Sequence, residues 1–232
     1  MSGFIGIVCG LKSEANAVRI SLKAAGVDAS TMKIGVSGAN ADRAEEIAQG
    51  FLEEGAKAIV SAGLCGGLDP ALKSGDLILG ERVVSAKGDI VIADKALSAA
   101  ADKFSPRHVA IFGSDEIVDS VEKKQALFQR YAAETVDMES HGAARAAAKA
   151  GVPFIAIRVV ADASTRTLPK AALRAVTPSG GVNVANVLVD CIKQPQQFEE
   201  IFALGRDSGA ATETLRRDFG GFFSAFLLAL DL

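Results

Sequence analysis

Two stretches of the chain carry acids in positions that suit proton chemistry. Val136-Asp137-Met138-Glu139-Ser140 puts two carboxylates at the entry to an alanine-rich segment, and FIAIRVVAD, 154–162, ends an apolar run on Asp162. The first reads as the start of a helix and the second as a buried strand, and the carboxyl ends of strands are where an open α/β sheet keeps its ligands. Acids there can give or take a proton, or accept hydrogen bonds from substrate hydroxyls. Structural roles compete with these. Asp137 suits a helix N-terminal acid, Asp162 an N-cap or Asx-turn acid, and residue type alone does not decide for Glu139 or Asp162.

Two further features join these acids. Glu14 follows the first apolar run, again at the carboxyl end of a strand, with a first-turn helix acid favoured by the macrodipole as the alternative. Gly63, Gly66 and Gly67 follow another apolar run, where backbone amides can approach a ligand with no Cβ in the way. That stretch has no Walker lysine and is not GxGxxG, so a purely structural tight turn explains it as well.

The elements that must position these residues alternate along the chain. Apolar runs predict strands over 4–9, 32–36, 58–62, 76–85, 89–92, 109–112 and 154–161. Helical spacing appears after residue 10 through Val18, Leu22 and Ala25, and again over 41–54, 94–103, 121–131, 139–150 and 180–193. Gly63, Gly66, Gly67 and Pro70 interrupt 63–76 and make it a loop. Such alternation predicts an α/β fold with a parallel or mixed sheet covered by helices. No repeat or linker divides residues 1–232, so a single domain is expected. Near the end, Leu215, Phe219, Phe222, Phe223, Phe226, Leu227 and Leu230 form a helical stripe that Gly220-Gly221 should weaken locally. The stripe suits core or subunit packing; with Arg216 and Arg217 beside it, it also suits a lipid-like substrate or a membrane surface.

Composition narrows the class. The chain has 25 basic against 28 acidic residues, a formal charge of −3, with no basic run to serve as a nucleic-acid footprint. Cys9, Cys65 and Cys191 are odd in number and far apart, which fits a reducing cytoplasm rather than a disulfide framework. They and His108 and His141 lack metal-ligand spacing. The opening MSGFIGIVCG reads as a first buried strand rather than a secretion signal, and no apolar run reaches the roughly 18 residues of a membrane span.

Taken in order, IGIVCGLKSE (5–14), SAGLCGGLDPALKSGDLIL (61–79), VDMES (136–140) and RVVAD (158–162) resemble the nucleoside phosphorylase and nucleosidase superfamily, over nearly the whole chain. VDMESHGAARAAAKAGVPFIAIRVVAD and the apolar C-terminus are most similar to the hopanoid-associated phosphorylases within it. The resemblance implies a three-layer phosphorylase/hydrolase-like fold with a central mixed sheet flanked by helices. It also implies cleavage of the N-glycosidic bond of an adenine nucleoside, adenosylhopane in the hopanoid-associated case. The alternatives are a nucleosidase for methylthioadenosine or S-adenosylhomocysteine and a non-catalytic nucleoside-binding protein.

Carried over by motif, Asp162 would be the acid that protonates the purine, Glu139 would accept from the ribose hydroxyls, and Met138 would pack on the sugar. Asp137, Gly63, Leu64, Cys65 and Gly66 would complete the substrate pocket, and Glu14 falls where hydrolytic relatives activate water. Inorganic phosphate is the other nucleophile implied, with Ser37, Gly38, Asn40 and Arg43 as a helix N-terminal anion site. No metal or other cofactor is expected. Leu64 and Cys65 stand where relatives often have small polar residues, and Ala161 where many nucleosidases have serine. The resemblance further implies a homo-oligomer in the cytoplasm, with contact to the inner membrane if the terminal stripe meets lipid.

Overall fold

A computed structural model describes residues 3–169, 177, 179–181 and 198–232. Eight strands run through it: β1 Phe4–Cys9, β2 Met32–Val36, β3 Ala56–Gly67, β4 Leu77–Ser85, β5 Ile90–Ile92, β6 Arg107–Gly113, β7 Thr135–Asp137 and β8 Phe154–Asp162. Six helices accompany them: α1 Lys12–Ala24, α2 Ala41–Glu53, α3 Lys95–Ala101, α4 Val121–Tyr131, α5 Ser140–Ala150 and α6 Phe198–Ala229. The helix expected over 180–193 lies outside the described residues apart from its first two positions.

The sheet is mixed. β1 lies parallel between β2 and β3, β3 runs parallel to β8, and β8 is antiparallel to β4. β4 is parallel to β6, β6 to β7, and β7 closes antiparallel onto the end of β3. The pairings β3–β8–β4–β6–β7–β3 therefore form a closed ring, with β1 and β2 extending it on one side and β5 on the other. The short β7 bridges the ends of β3 and β6, so the strand ends meet around a cavity.

Helices cover both faces. α1, α3 and α6 pack over Ile5, Ile7, Val60, Ile155 and Ile157, while α2 and α5 pack over Phe4, Val8, Ile59 and Phe154. α5 approaches closely because its buried face is nearly all alanine, as Ala143, Ala144, Ala146 and Ala147. α4 covers the β6–β7 side through Leu127, Phe128 and Tyr131.

The structure departs from the sequence reading in two places here. The loop expected over 63–76 begins only after Gly67, because β3 continues through the glycines. Their role is close approach rather than turning: a Cβ on Gly66 would stand 3.2 Å from Val136, and one on Gly67 would stand 3.3 Å from the Asp162 carbonyl. The strand β7 was not expected, since three residues are too few for a period to show.

The terminal stripe is core rather than a lipid or substrate surface. Leu215, Phe219, Phe222, Phe223 and Phe226 are buried against α1, α3 and the sheet, so those rings are not available to a membrane. α6 runs unbroken through Gly220-Gly221. Gly220 donates to Ser21 Oγ at 2.8 Å, and Gly221 faces the Phe104 ring. No described helix is long and apolar enough to cross a membrane.

Candidate active site

The ends of β3, β7 and β8 and the starts of α1 and α5 converge on one cavity of about 240 Å³. Glu14, Leu64, Cys65, Gly66, Asp137, Met138, Glu139 and Asp162 all line it. So do Leu11, Ile117, Val118 and Leu168, which make much of the wall apolar.

Arg158 organises the acids. It sits in the middle of β8 with 0% exposure, and an uncompensated charge there would be very unfavourable. Its Nε donates to Asp137 Oδ2 at 2.7 Å. Nη2 donates to Ser61 Oγ at 2.7 Å, to Ser140 Oγ at 3.0 Å and, more weakly, to Glu139 Oε2 at 3.4 Å. Nη1 is buried and has no hydrogen-bond partner among the described residues.

The strands and helices explain why these groups meet. Asp137 ends β7, and its Oδ1 accepts from the amides of Glu139 and Ser140 at 3.2 and 3.0 Å, so it also satisfies the first turn of α5. Burial alone would raise the Asp137 carboxyl, but Arg158 and Ser140 hold it below the usual range. Asp137 is thus spent on Arg158 and on the helix start, in agreement with its structural reading.

Glu14 and Glu139 face each other across Gly10 and Gly63. Glu14 Oε2 accepts from Leu11 N at 2.8 Å and Oε1 from Leu64 N at 2.9 Å, tying α1 to the end of β3. A Cβ on Gly10 would stand 2.5 Å from Glu139 Oε1 and 3.2 Å from Glu14 Oε2. One on Gly63 would stand 2.7 Å from Arg158 Nη1 and 2.8 Å from Glu14 Oε2. The glycines therefore leave room for two carboxylates and a guanidinium to share one small space.

Desolvation dominates there. It raises Glu14, with Arg158 and the Leu64 and Leu11 amides opposing. It pushes Glu139 up to about 8, against Arg158 and with help from Asp137 and Glu14. Two like charges this close and this buried do not both ionise freely near neutral pH.

Asp162 lies at the other end of the cavity. Desolvation raises its carboxyl, and Lys124 lowers it in part. Lys124, on α4, is 1% exposed and donates to Asp162 Oδ2.

The four residues expected to bind phosphate do not line the cavity; only Ala39 of that turn does. The turn's backbone amides at 37, 38, 39 and 43 are used internally, while the buried Ser37 hydroxyl has no partner among the described residues. Gly38 N and Ala39 N donate to Gly10 O at 2.9 and 3.3 Å, Ser37 N donates to Cys9 O at 2.9 Å, and Arg43 N donates to Asn40 Oδ1 at 2.8 Å. Among the described residues no cluster of His, Cys, Asp or Glu could hold a metal ion.

Two residues of this site were not singled out from the sequence. Arg158 carried a signal, being the one basic residue inside FIAIRVVAD, since a charge in a buried strand demands partners. Lys124 carried none. In VEKKQALFQRY it looks like any solvated helix lysine, and only the packing of α4 on the end of β8 buries it.

The arrangement defines a class. Residues 8–193 match the model of the phosphorylase superfamily, and the chain belongs to that family. No curated protein matches the chain.

Solved structures share its fold at low identity. A futalosine hydrolase mutant from Helicobacter pylori is 15% identical with a TM-score of 0.72, covering 96% of this chain and 99% of that one. A 5'-methylthioadenosine/S-adenosylhomocysteine nucleosidase mutant from the same organism, with 5'-methylthioadenosine in its active site, is 18% identical with a TM-score of 0.66, over 93% and 97%. The nucleosidase of Colwellia psychrerythraea in complex with adenine is 18% identical with a TM-score of 0.67, over 96% of each chain. Membership of this family supports an enzyme that acts on nucleosides, and the solved structures share its fold.

Proposed function

We propose that the protein is a nucleosidase that hydrolyses the N-glycosidic bond of an adenine nucleoside. The observation that carries this reading is Glu14, a buried carboxylate that lines the cavity beside Glu139, with its proton affinity raised by burial. A water in the cavity next to Glu14 would donate to its carboxylate, whose oxygens each keep a lone pair after accepting a backbone amide. A lone pair of that water would face the sugar.

The local charge supports water over phosphate. Asp137 alone offsets the Arg158 guanidinium, so whether or not Glu14 and Glu139 hold protons the cluster carries no net positive charge to draw in a phosphate dianion. The amides of residues 37–39 and 43 that could have offset this are already bonded.

The remaining groups fit the same reaction. Glu139 would accept from the ribose hydroxyls, and its proximity to the anomeric carbon would favour the oxocarbenium-like transition state over the ground state. Met138 would pack on the sugar. Asp162, protonated, would donate to N7 as the glycosidic electrons pass to the base, and positioned proton transfer of this kind contributes roughly 10²- to 10⁴-fold.

Leu11, Ile117, Val118 and Leu168 give the cavity an apolar part of its wall, which suits an apolar 5' substituent. Adenosylhopane is the candidate that the motif resemblance favours. Methylthioadenosine and S-adenosylhomocysteine are the candidates that the ligands of the structural relatives favour. Adenine release from each, measured with purified protein, ranks them. Asp162→Asn should lower turnover of the preferred substrate by roughly 10²-fold or more, and near wild-type turnover in that variant would remove the acid role.

A further inference from the structure

Lys124 has a role that nucleoside cleavage as described so far does not use. Its Nζ is fully committed: it donates to Asp162 Oδ2, to Ala163 O at 2.8 Å and to Arg166 O at 2.9 Å, which accounts for all three ammonium protons. The two carbonyls belong to the turn that follows β8. One ammonium thus ties α4 to that turn and to the acid at the edge of the cavity. Lys124 is the only partner recorded for the Asp162 carboxylate among the described residues, and it takes one oxygen.

We propose that Lys124 is the positioning residue of the leaving-group acid: it holds Oδ2 of Asp162, leaves Oδ1 to carry the proton toward the bound base, and stabilises the carboxylate that remains. The inference rests on the nucleosidase reading above. In the step, the C1'–N9 bond breaks and its electron pair passes to the base. N7 takes the proton from Oδ1, and the O–H electron pair stays on Asp162 as a carboxylate charge beside the Lys124 ammonium. The nucleophilic water forms the C1'–O bond and gives its proton to Glu14, and that proton passes through solvent back to Asp162 as the base leaves.

The surroundings of Asp162 favour this division of labour. Burial raises its carboxyl, which keeps the acid form available, and Lys124 and then Arg166 act in the opposite direction. Arg166 is itself paired with Asp207 of α6 at 2.5 Å. The other ionisable groups on the cavity are Glu14 on α1, Glu116 on the β6–α4 loop, Cys65 on β3, and Asp137 and Glu139 before α5. All are acidic, so Lys124 supplies the nearest positive charge.

The test compares two leaving groups across pH. Lys124→Gln removes the charge and keeps N–H donors for the turn carbonyls; Lys124→Met removes both; Lys124→Arg keeps the charge. The substrates are an adenine nucleoside, whose base needs the proton, and para-nitrophenyl β-ribofuranoside, whose phenolate leaves without one. The expected result is a fall of roughly 10²-fold in kcat for the adenine nucleoside in the Gln and Met variants, with KM little changed. The aryl riboside should be cleaved at near wild-type rate.

With its cationic neighbour gone, Asp162 should hold its proton to higher pH, so the basic limb of the adenine profile moves up in the Gln and Met variants and returns toward wild type in Arg. An equal loss on both substrates, or a basic limb that stays in place, overturns the proposal. Wild-type protein that releases no adenine would instead overturn the nucleosidase reading itself. Should the Met variant not fold, the Gln and Arg pair decides the question alone.

Discussion

Arg158 sets the character of the site at the scale of single residues. An arginine flanked by apolar neighbours along its own strand can persist only if acids from other elements reach it, and Asp137, Glu139 and Glu14 do. The acids were open to reading from the sequence because VDMES and RVVAD place them at element ends, whereas their division of labour was not. Asp137 goes to Arg158 and to the α5 amides, Glu139 keeps a raised proton affinity, and both facts depend on distances across strands. The raised value of Glu139 has a consequence for stability. Its folded pKa of about 8 lies above its ordinary 4.5, so the native state holds more protons than the unfolded state between those values. By linkage, stability then falls as pH rises through that window and levels off above it. Glu139→Gln removes the titration, so thermal denaturation should show the variant gaining stability over wild type at about pH 8.5 and little difference near pH ~4. Equal differences at both ends of the window would mean that Glu139 is not buried in its acid form.

At the scale of elements, the alternation of strands and helices could be read from periodicity because β1, β2, β4, β6 and β8 are apolar runs bounded by polar turns. The end of β3 could not, because AGLCGG looks like a loop until β7 and β8 are known to pair with it. Glycine is needed there for contact, and contact is invisible to a local pattern. The same holds for Gly220 in α6. Helix propensity favours alanine over glycine by about 1 kcal/mol in a helix interior. Against that, a Cβ at Gly220 would stand 2.5 Å from the Ser21 carbonyl oxygen, a backbone atom that cannot rotate away. Overpacking of this kind costs about 1–3 kcal/mol, so the steric effect should win. Gly220→Ala is expected to lower the denaturation midpoint, while Gly209→Ala in the same helix, where a Cβ meets nothing within 4 Å, should raise it slightly. A stabilised Gly220 variant would show that α6 can slide away from α1.

For the whole molecule, the ring of five strands turns scattered motifs into a single cavity. β3, β7 and β8 end on its rim, α1 and α5 begin there, and residues far apart in the chain, such as Glu14 and Asp162, come to line one space. The general fold class could be read from the sequence. The ring closure could not, because it depends on a three-residue strand. Nor could the burial of the Phe-rich stripe, since an amphipathic helix looks the same whether its apolar face meets a sheet, a partner or lipid. In the folded chain that stripe closes the core, and the cavity is lined by acids and apolar side chains. On the proposed reading water is the nucleophile at this site. Adenine release from 5'-methylthioadenosine, or from whichever adenine nucleoside is turned over fastest, in phosphate-free buffer and again with added phosphate, tests it most directly. The account predicts the same rate in both, with a free ribosyl sugar as the product. A rate that depends on phosphate and a phosphorylated sugar product would contradict it.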